Sequence, residues 1–366
     1  MRHLLWILPL FVILTISACG EDDDPKPCDQ DPNCDPITWK LDETPYELED
    51  FYPRHFGNAT TFKSFIPADN PLTIAKVLLG KKLFYDTLLS RDYSVSCASC
   101  HHPDKAFSDP KTLSLGVDGR LGTRNATALM NLLFGKSFFW DGNTATLEEQ
   151  ALIPIEADFE MDNTVEEVIR RLNADTAYIR LFGNAFGKVP DSDGLAKALS
   201  SFERTLVSAN TKYDEFVLTR DFSIFTPAER RGLELFNSER ADCFHCHVSP
   251  TVFTDDALTD NGLEFLNGDS GRDMVTGNPD DRFKFKTPTL RNLRYTAPYM
   301  HDGRFNTLEE VIDHYSSGGA NRGTQSPFVP PEGGANQLTD QDKADLIAFL
   351  MTLSDSSYIN NPAYMP

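Results

Sequence analysis

Hydrophobic residues recur at helical spacing along most of this chain. Between residues 194 and 207, for example, Leu195, Leu199, Phe202 and Leu206 would share one side of a helix. Strand-like alternation with hairpin signals is scarce. The patterns predict helices at Leu72–Asp86, Thr146–Ile153, Thr164–Leu172, Gly194–Val207, Pro227–Asn237, Thr307–Tyr315 and Thr339–Leu353. The predicted fold class is therefore all-α.

The start of the chain follows a different pattern. A short charged start precedes an apolar run, Leu4–Ile16, and small residues lead to Cys19. This order is typical of a secretory signal, and the run is short for a membrane-spanning helix. Its end resembles a bacterial lipoprotein signal, which implies cleavage before Cys19 and a lipid on its thiol; an ordinary signal peptide with a chance cysteine is the alternative. We expect residues 1–18 to be the signal and residues 19–50, acidic and rich in proline, to be a tether.

Four of the seven cysteines lie in two Cys-x-x-Cys-His motifs. The motifs comprise Cys97, Cys100 and His101, and Cys243, Cys246 and His247. This pattern is the attachment signature of a c-type haem: the thiols bond to the haem vinyl groups and the histidine binds the iron. A zinc site fits poorly because the motifs are far apart, and a thioredoxin-like site lacks its βαβ context. We therefore expect two covalently bound haems.

The other cysteines and the charge indicate compartment and partners. Haem attachment belongs outside the bacterial cytoplasm, in agreement with the signal, and Cys28 and Cys34 could form a disulfide there. The formal net charge of −21 repels nucleic acid and would attract a small basic protein such as an electron carrier. Solubility alone is the alternative explanation of this charge.

Matching landmarks around the two motifs indicate an internal duplication. They occur in the same order and pair Gly80–Phe84 with Gly232–Phe236, Phe107–Asp109 with Phe253–Asp255, Arg124-Asn125 with Arg291-Asn292, and Trp140–Glu149 with His301–Glu310. We therefore predict two cytochrome c-like domains, residues 51–220 and 221–366, each with one haem.

The face of each haem opposite its proximal histidine decides the function. No histidine lies between His102 and His245, and the region instead offers Trp140, Gln150, Glu160 and Met161. Met161 could be a ligand, but a methionine beside apolar residues is usually core, so we expect an open first haem with an acid nearby. For the second haem the candidate ligands are Met274, Met300, His301, His314 and Tyr315, and spacing alone does not choose among them.

From about residue 65 to residue 355 the sequence resembles bacterial di-haem cytochrome c peroxidases and their MauG-type relatives. Besides both haem motifs, the resemblance rests on Leu79–Phe84, Trp140-Asp141-Gly142, Leu147–Gln150, Glu160-Met161, Pro288–Asn292 and Thr296–Gly303. It implies that Trp140 carries electrons between the haems and that Gln150 and Glu160 form the polar pair over the peroxide-binding iron. It also implies calcium ligands, namely the Asn125 side chain and the carbonyls of Thr296 and Pro298, an oxygen-only set.

Two departures from the peroxidase pattern matter. Many family peroxidases carry a histidine sixteen residues after the first proximal histidine, which blocks the first iron until the second is reduced; here that position is Val117. Family peroxidases also place a methionine on the second iron, whereas this chain, like MauG-type proteins, has Tyr315. A phenolate favours oxidised iron, while methionine raises the potential.

The resulting prediction is a peroxidase that reduces hydrogen peroxide to water at the His101 haem. Glu160 acts as acid and base, and an external protein donor, a cytochrome c or a cupredoxin, supplies electrons through the second haem and Trp140. The alternatives are a MauG-type enzyme that oxidises side chains of a partner protein and, less favoured, a non-catalytic electron carrier. The expected location is the periplasmic side of the envelope with a lipid anchor in a membrane; the outer membrane, the cell surface and a homodimer are left open.

Overall fold

The computed structural model describes residues 40–46, 56, 65–248, 251–333 and 338–366. The predicted signal, Cys19, Cys28, Cys34 and most of the tether lie outside these residues. The described part of the chain from residue 40 onward belongs to one compact unit. Of its helices, none combines the length and the apolar character that a bilayer crossing requires.

The fold is mostly helical, as predicted. The described helices are α1 (Ile74–Tyr85), α2 (Leu147–Gln150), α3 (Ile153–Glu156), α4 (Val165–Ala174), α5 (Thr176–Phe186), α6 (Ser192–Arg204), α7 (Lys212–Thr219), α8 (Pro227–Phe236), α9 (Asp273–Thr276), α10 (Leu308–Ser317), α11 (Asp340–Met351) and α12 (Ser356–Ile359). Two short strands, β1 (Leu258–Thr259) and β2 (Phe285–Lys286), pair antiparallel.

Side-chain caps explain where several predicted helices begin. Thr73, Thr164, Thr226 and Thr339 each accept a hydrogen bond from a backbone N–H in the first turn of the helix that follows. These bonds satisfy N–H groups that have no partner inside the helix. The capping box predicted at the start of α11 is present.

The prediction of one helix over Thr146–Ile153 is wrong. The structure has α2 and α3 there, joined by a short break. Pro154, in the first turn of α3, has no N–H to donate and cannot lie in the interior of a continuous helix. The sequence reasoning also missed α5, α7, α9 and α12, although it found the long helices that build the two cores.

Two equivalent helix crossings show the internal repeat. A Cβ atom added at Gly80 of α1 would overlap the carbonyl oxygen of Ala198 in α6. A Cβ atom at Gly232 of α8 would in the same way overlap the carbonyl oxygen of Asp345 in α11. Glycine is therefore required at both crossings because the helix backbones approach so closely. The prediction of two cytochrome c-like copies is confirmed, while the boundaries at residues 51, 220 and 221 stay a prediction.

Aromatic clusters repeat as well. The ring centroids of Phe84 and Phe202 lie 5.3 Å apart, and those of Phe236 and Phe349 lie 5.1 Å apart. The end of the chain contributes to the first of these cores, where the ring centroids of Tyr364 and Phe107 lie 6.3 Å apart.

One predicted pairing within the repeat is wrong. Asn292 adopts left-handed backbone and precedes a short 3-10 turn, Leu293–Tyr295. Its counterpart is Asn131, which has the same conformation before Leu132–Phe134, and not Asn125. Each asparagine lies nine residues before the Trp140 or His301 landmark. The shared Arg-Asn letters suggested the wrong register because they carry no information about backbone handedness.

Candidate active site

Both Cys-x-x-Cys-His motifs open onto one internal cavity of about 600 Å³. It is lined by Cys97, Cys100, His101, Cys243, Cys246 and His247, together with mostly apolar side chains from both copies. Its size is that of ligand sites in proteins. The four thiols are not paired in disulfides. The arrangement therefore fits a cofactor-binding interior in each copy.

The two proximal histidines have the same environment. The Nδ1 atom of His101 lies 2.9 Å from the carbonyl oxygen of Phe107, and that of His247 lies 3.1 Å from the carbonyl oxygen of Phe253. Both phenylalanines have positive φ, 57° and 52°, which turns these carbonyls toward the rings. Burial lowers the pKa of both histidines. Each ring is thus neutral, with Nδ1 as donor and Nε2 left to bind a metal.

Two polar side chains predicted to work together line this cavity. Burial raises the pKa of Glu160 to about 6. The Oε1 atom of Gln150 is buried and has no hydrogen-bond partner among the described residues. Because an orphaned acceptor is costly, this atom fits a site where a bound molecule supplies the missing donor.

Val117, at the position where many family peroxidases carry the histidine that blocks the first iron, lies in a loop that is held against the segment of Glu160. The backbone N–H of Val117 donates to the carbonyl oxygen of Glu160 at 2.8 Å. The Val117 side chain is 0% exposed and is not part of the cavity lining. A Cβ atom at Gly116 would overlap the backbone of Phe159 and Glu160, so glycine permits this close approach. Val117 therefore presents no metal-binding atom to the cavity.

Trp140 is tied to both copies. Its indole Nε1 donates to the carbonyl oxygen of Asn125 at 2.8 Å. Its own carbonyl oxygen accepts from the backbone N–H of Lys286, in β2, at 2.6 Å. Trp140 also lines the cavity onto which both motifs open. The first bond holds the indole, and the second joins the Trp140 backbone to β2 of the second copy.

The three predicted calcium ligands also border the cavity. Asn125, Thr296 and Pro298 line it together. The Asn125 Nδ2 atom donates to the carbonyl oxygens of Lys111 and Thr112 at 3.0 and 3.3 Å, so its Oδ1 atom points elsewhere. This orientation leaves a side-chain oxygen available as a ligand.

The structure narrows the five candidate ligands of the second haem. Met274 is 64% exposed and lies outside the cavity lining. The Nε2 atom of His314 lies 3.1 Å from the carbonyl oxygen of Asn261 and is thus occupied. The His301 ring stacks on that of Phe285, with centroids 3.7 Å apart.

Tyr315 and Met300 both line the cavity and face one amide group. The Nδ2 atom of Asn261 lies 3.3 Å from the Tyr315 hydroxyl and 3.6 Å from the Met300 sulfur. Burial raises the pKa of Tyr315 to about 12, and the hydrogen bond from Asn261 opposes this rise. A neutral phenol is therefore expected until a cation binds its oxygen.

Sequence reasoning missed several polar residues of the cavity, among them Asn261 and Glu203. Asn261 follows no motif, and only the fold brings its amide to Tyr315. Glu203 lies among apolar residues of α6, and its side chain lines the cavity. An acid within an otherwise apolar helix face was the available signal.

Comparison with known proteins gives a consistent set of relatives. A family profile described as di-haem cytochrome c peroxidase matches residues 74–221. The chain is 41% identical to the methylamine utilization protein MauG of Methylorubrum extorquens over 295 residues, covering 78% of this chain and 80% of MauG. It is 31% identical to the cytochrome c551 peroxidase of Pseudomonas aeruginosa over 293 residues, covering 78% of this chain and 80% of that protein. The crystal structure of a MauG-like protein associated with microbial copper homeostasis superimposes with a TM-score of 0.75 at 34% identity, covering 83% of this chain and 97% of that one.

Proposed function

Because this chain belongs to the di-haem cytochrome c peroxidase family, which includes MauG relatives, we propose that it reduces hydrogen peroxide to water at the site next to His101. The family makes it an oxidoreductase with two c-type haems. The observation that carries the proposal is the pair of Glu160 and the orphaned Gln150 oxygen in the shared cavity, where the charge of Glu160 acts on the thiols of the first motif.

The chain supplies attachment and iron-binding groups in duplicate. Cys97 and Cys100 would hold the first haem and His101 would bind its iron; Cys243, Cys246 and His247 would do the same for the second. When bound, the haems supply the redox chemistry by which peroxide is reduced. The hydrogen bonds from each histidine Nδ1 atom to a backbone carbonyl would leave Nε2 available to the iron.

Glu160 handles the proton in this proposal. Its carboxylate takes a proton from the peroxide oxygen nearer to the His101 site. It returns that proton to the other peroxide oxygen as the O–O bond breaks, so that one water leaves. Two electrons and two further protons complete the balance to a second water. The Gln150 amide accepts a hydrogen bond from peroxide at Oε1 and so orients it. A pKa of about 6 keeps Glu160 mostly ionised at neutral pH, as a base requires.

Trp140 and the calcium ligands link the two copies in this account. The Trp140 indole donates to Asn125 of the first copy and its backbone carbonyl accepts from Lys286 of the second, and the indole is the path for electrons between the sites. Asn125 Oδ1 and the carbonyl oxygens of Thr296 and Pro298 bind one calcium ion. Because the Asn125 carbonyl also accepts the Trp140 indole N–H, the ion would stabilise the position of the indole.

A MauG-type reaction, in which peroxide is used to oxidise side chains of a partner protein, is the second candidate. Two observations favour it: Tyr315 lies in the cavity of the second motif, and Val117 replaces the gating histidine. A phenolate ligand stabilises the oxidised iron and so disfavours a mild external donor. The electron-carrier alternative has no such support, since the first site has an acid and an amide where a carrier needs a ligand.

Location and partners follow from the family and the sequence. We place the protein on the periplasmic side of the bacterial envelope, where haem attachment takes place. The lipid anchor on Cys19 and a homodimer stay predictions. The net charge of −21 favours a basic electron-donor protein such as a cytochrome c or a cupredoxin.

The test mixes the oxidised holoprotein with hydrogen peroxide, first with reduced cytochrome c and then with candidate protein substrates. Peroxide consumption matched by cytochrome c oxidation supports the peroxidase. Oxidised side chains in a partner, detected by mass spectrometry, support the MauG-type reaction. If peroxide is not consumed under either condition, the proposal is wrong.

A further inference from the structure

Glu203 is a buried acid next to the first haem motif that the proposed mechanism does not use. Its side chain is 5% exposed, and its Oε2 atom has no hydrogen-bond partner among the described residues. It borders the cavity of the first motif, and its charge acts on the Cys97 thiol. A carboxyl group in this position is costly when ionised and needs a reason to be there.

The neighbouring charges do not neutralise Glu203. Arg204 directs its guanidinium at Glu148, with nitrogen to oxygen distances of 2.6 and 2.8 Å. Helix α6 packs against α1, α2, α4 and the turn Leu132–Phe134. Among the described residues of these elements, the charges acting on Glu203 are Arg204 on its own helix and Glu148 on α2.

The internal repeat shows that the acid is specific to the first site. Phe202 and Phe349 occupy equivalent positions in the two aromatic clusters. The residue after Phe202 is Glu203, and the residue after Phe349 is Leu350, which is buried and lines the cavity of the second motif. The fold therefore accepts a leucine at this place, so packing alone does not require an acid.

We propose that Glu203 is a proton-binding site coupled to the redox state of the first haem, an inference that rests on the proposed attachment of that haem at Cys97 and Cys100. One electron onto the haem is accompanied by one proton from solvent onto the Glu203 carboxylate, and both leave together. The physical reason is electrostatic, because adding the proton keeps the charge of a buried pocket constant.

The ionisation behaviour of the side chain agrees with this role. Burial, aided by Glu148 and opposed by Arg204, raises the pKa of Glu203 to about 8. Positive charge on an oxidised haem lowers this pKa, and reduction restores it. Between the two pKa values the reduction potential must fall as pH rises, and the limit for one proton per electron is about 59 mV per pH unit.

The experiment measures the reduction potential of the first haem in the full holoprotein by spectroelectrochemical titration, from about pH 5 to about pH 9. The native protein should show a pH interval in which the reduction potential falls as pH rises, and Glu203→Gln should lose this interval. Glu203→Leu is the matched variant, since it reproduces Leu350 of the second copy, and it should lose the interval too. Glu160→Gln changes a group with a lower pKa and should keep the interval that Glu203 sets.

An infrared difference spectrum between reduced and oxidised native protein provides a second readout that needs no variant to fold. It should show a protonated carboxyl band that shifts in heavy water. An unchanged pH dependence in both Glu203 variants, or its loss in Glu160→Gln instead, would overturn the proposal. A native protein with the pH dependence but no peroxide turnover would refute the peroxidase function and leave the proton site standing.

Discussion

Replacing Glu160 by glutamine should slow peroxide turnover while leaving haem content unchanged. Glutamine keeps the size and hydrogen bonding of the side chain but cannot carry a proton between the peroxide oxygens. General acid–base catalysis contributes about 10²- to 10⁴-fold, so kcat/KM for peroxide should fall by a factor in this range. At about 1.36 kcal/mol per decade this equals roughly 3 to 5 kcal/mol of transition-state stabilisation.

The pH dependence makes this prediction specific. With the pKa of Glu160 raised to about 6 by burial, the base form predominates above that pH and is lost below it. Log kcat/KM of the native enzyme should fall by one per pH unit below about pH 6, and Glu160→Gln should lack this limb. Stopped-flow measurement of peroxide consumption across pH provides the assay. Glu149→Gln, an exposed position next to Gln150, is the control and should match the native enzyme. A Glu160→Gln variant with the native rate or the native acid limb would refute the reasoning.

Three further predictions concern Tyr315 at the second site, the helix crossing at Gly232 and the ion pair of Glu148. Tyr315→Phe should change the optical and electron spin resonance spectra of the second haem. Tyr299→Phe should not, because the native Tyr299 hydroxyl donates to the carbonyl oxygen of Leu293. Identical spectra of Tyr315→Phe and the native protein would remove Tyr315 as a ligand. Gly232→Ala should lower stability by about 1 to 3 kcal/mol because its Cβ overlaps Asp345, while Gly323→Ala, which meets no atom, should be neutral in thermal unfolding. Burial opposes ionisation of Glu148, but hydrogen bonds from Arg204 and Asn70 outweigh it and lower its pKa to about 2. Because this folded pKa lies below the ordinary glutamate value of 4.5, the stabilisation, about 3 kcal/mol, is present above pH 4.5 and is lost as pH falls toward 2. Glu148→Gln should therefore unfold more easily at pH 7 and should lose less stability on acidification; an equal acid response in both proteins would contradict this.

The sequence was informative wherever covalent chemistry or a local hydrogen bond determines the structure. Both haem motifs have fixed spacing, and threonine caps such as Thr339 mark helix starts without reference to the rest of the fold. The glycines at positions 80 and 232 helped to reveal the internal repeat, because only glycine allows the crossing helices to approach so closely in each copy. These features are local, so they could be found from the residues alone.

Features that depend on tertiary contacts could not be found in this way. Helix α5 begins directly after α4, with Asp175 capping it, and no loop separates the two patterns. The pairing of Asn292 with Asn125 failed because left-handed backbone is invisible in the letters, and the structure assigns that place to Asn131. Asn261 reaches Tyr315 across 54 positions in the chain. Only the folded structure brings such residues together.

The asymmetry between the two irons is tested most directly by the electron spin resonance spectrum of the resting ferric holoprotein. The account predicts one high-spin signal from the first haem, whose open side is proposed to face Glu160 and Gln150, and one low-spin signal from the second, proposed to be bound by Tyr315. Added imidazole should convert only the high-spin signal. Two low-spin signals that neither imidazole nor peroxide alters would contradict the account and leave a protein that only carries electrons.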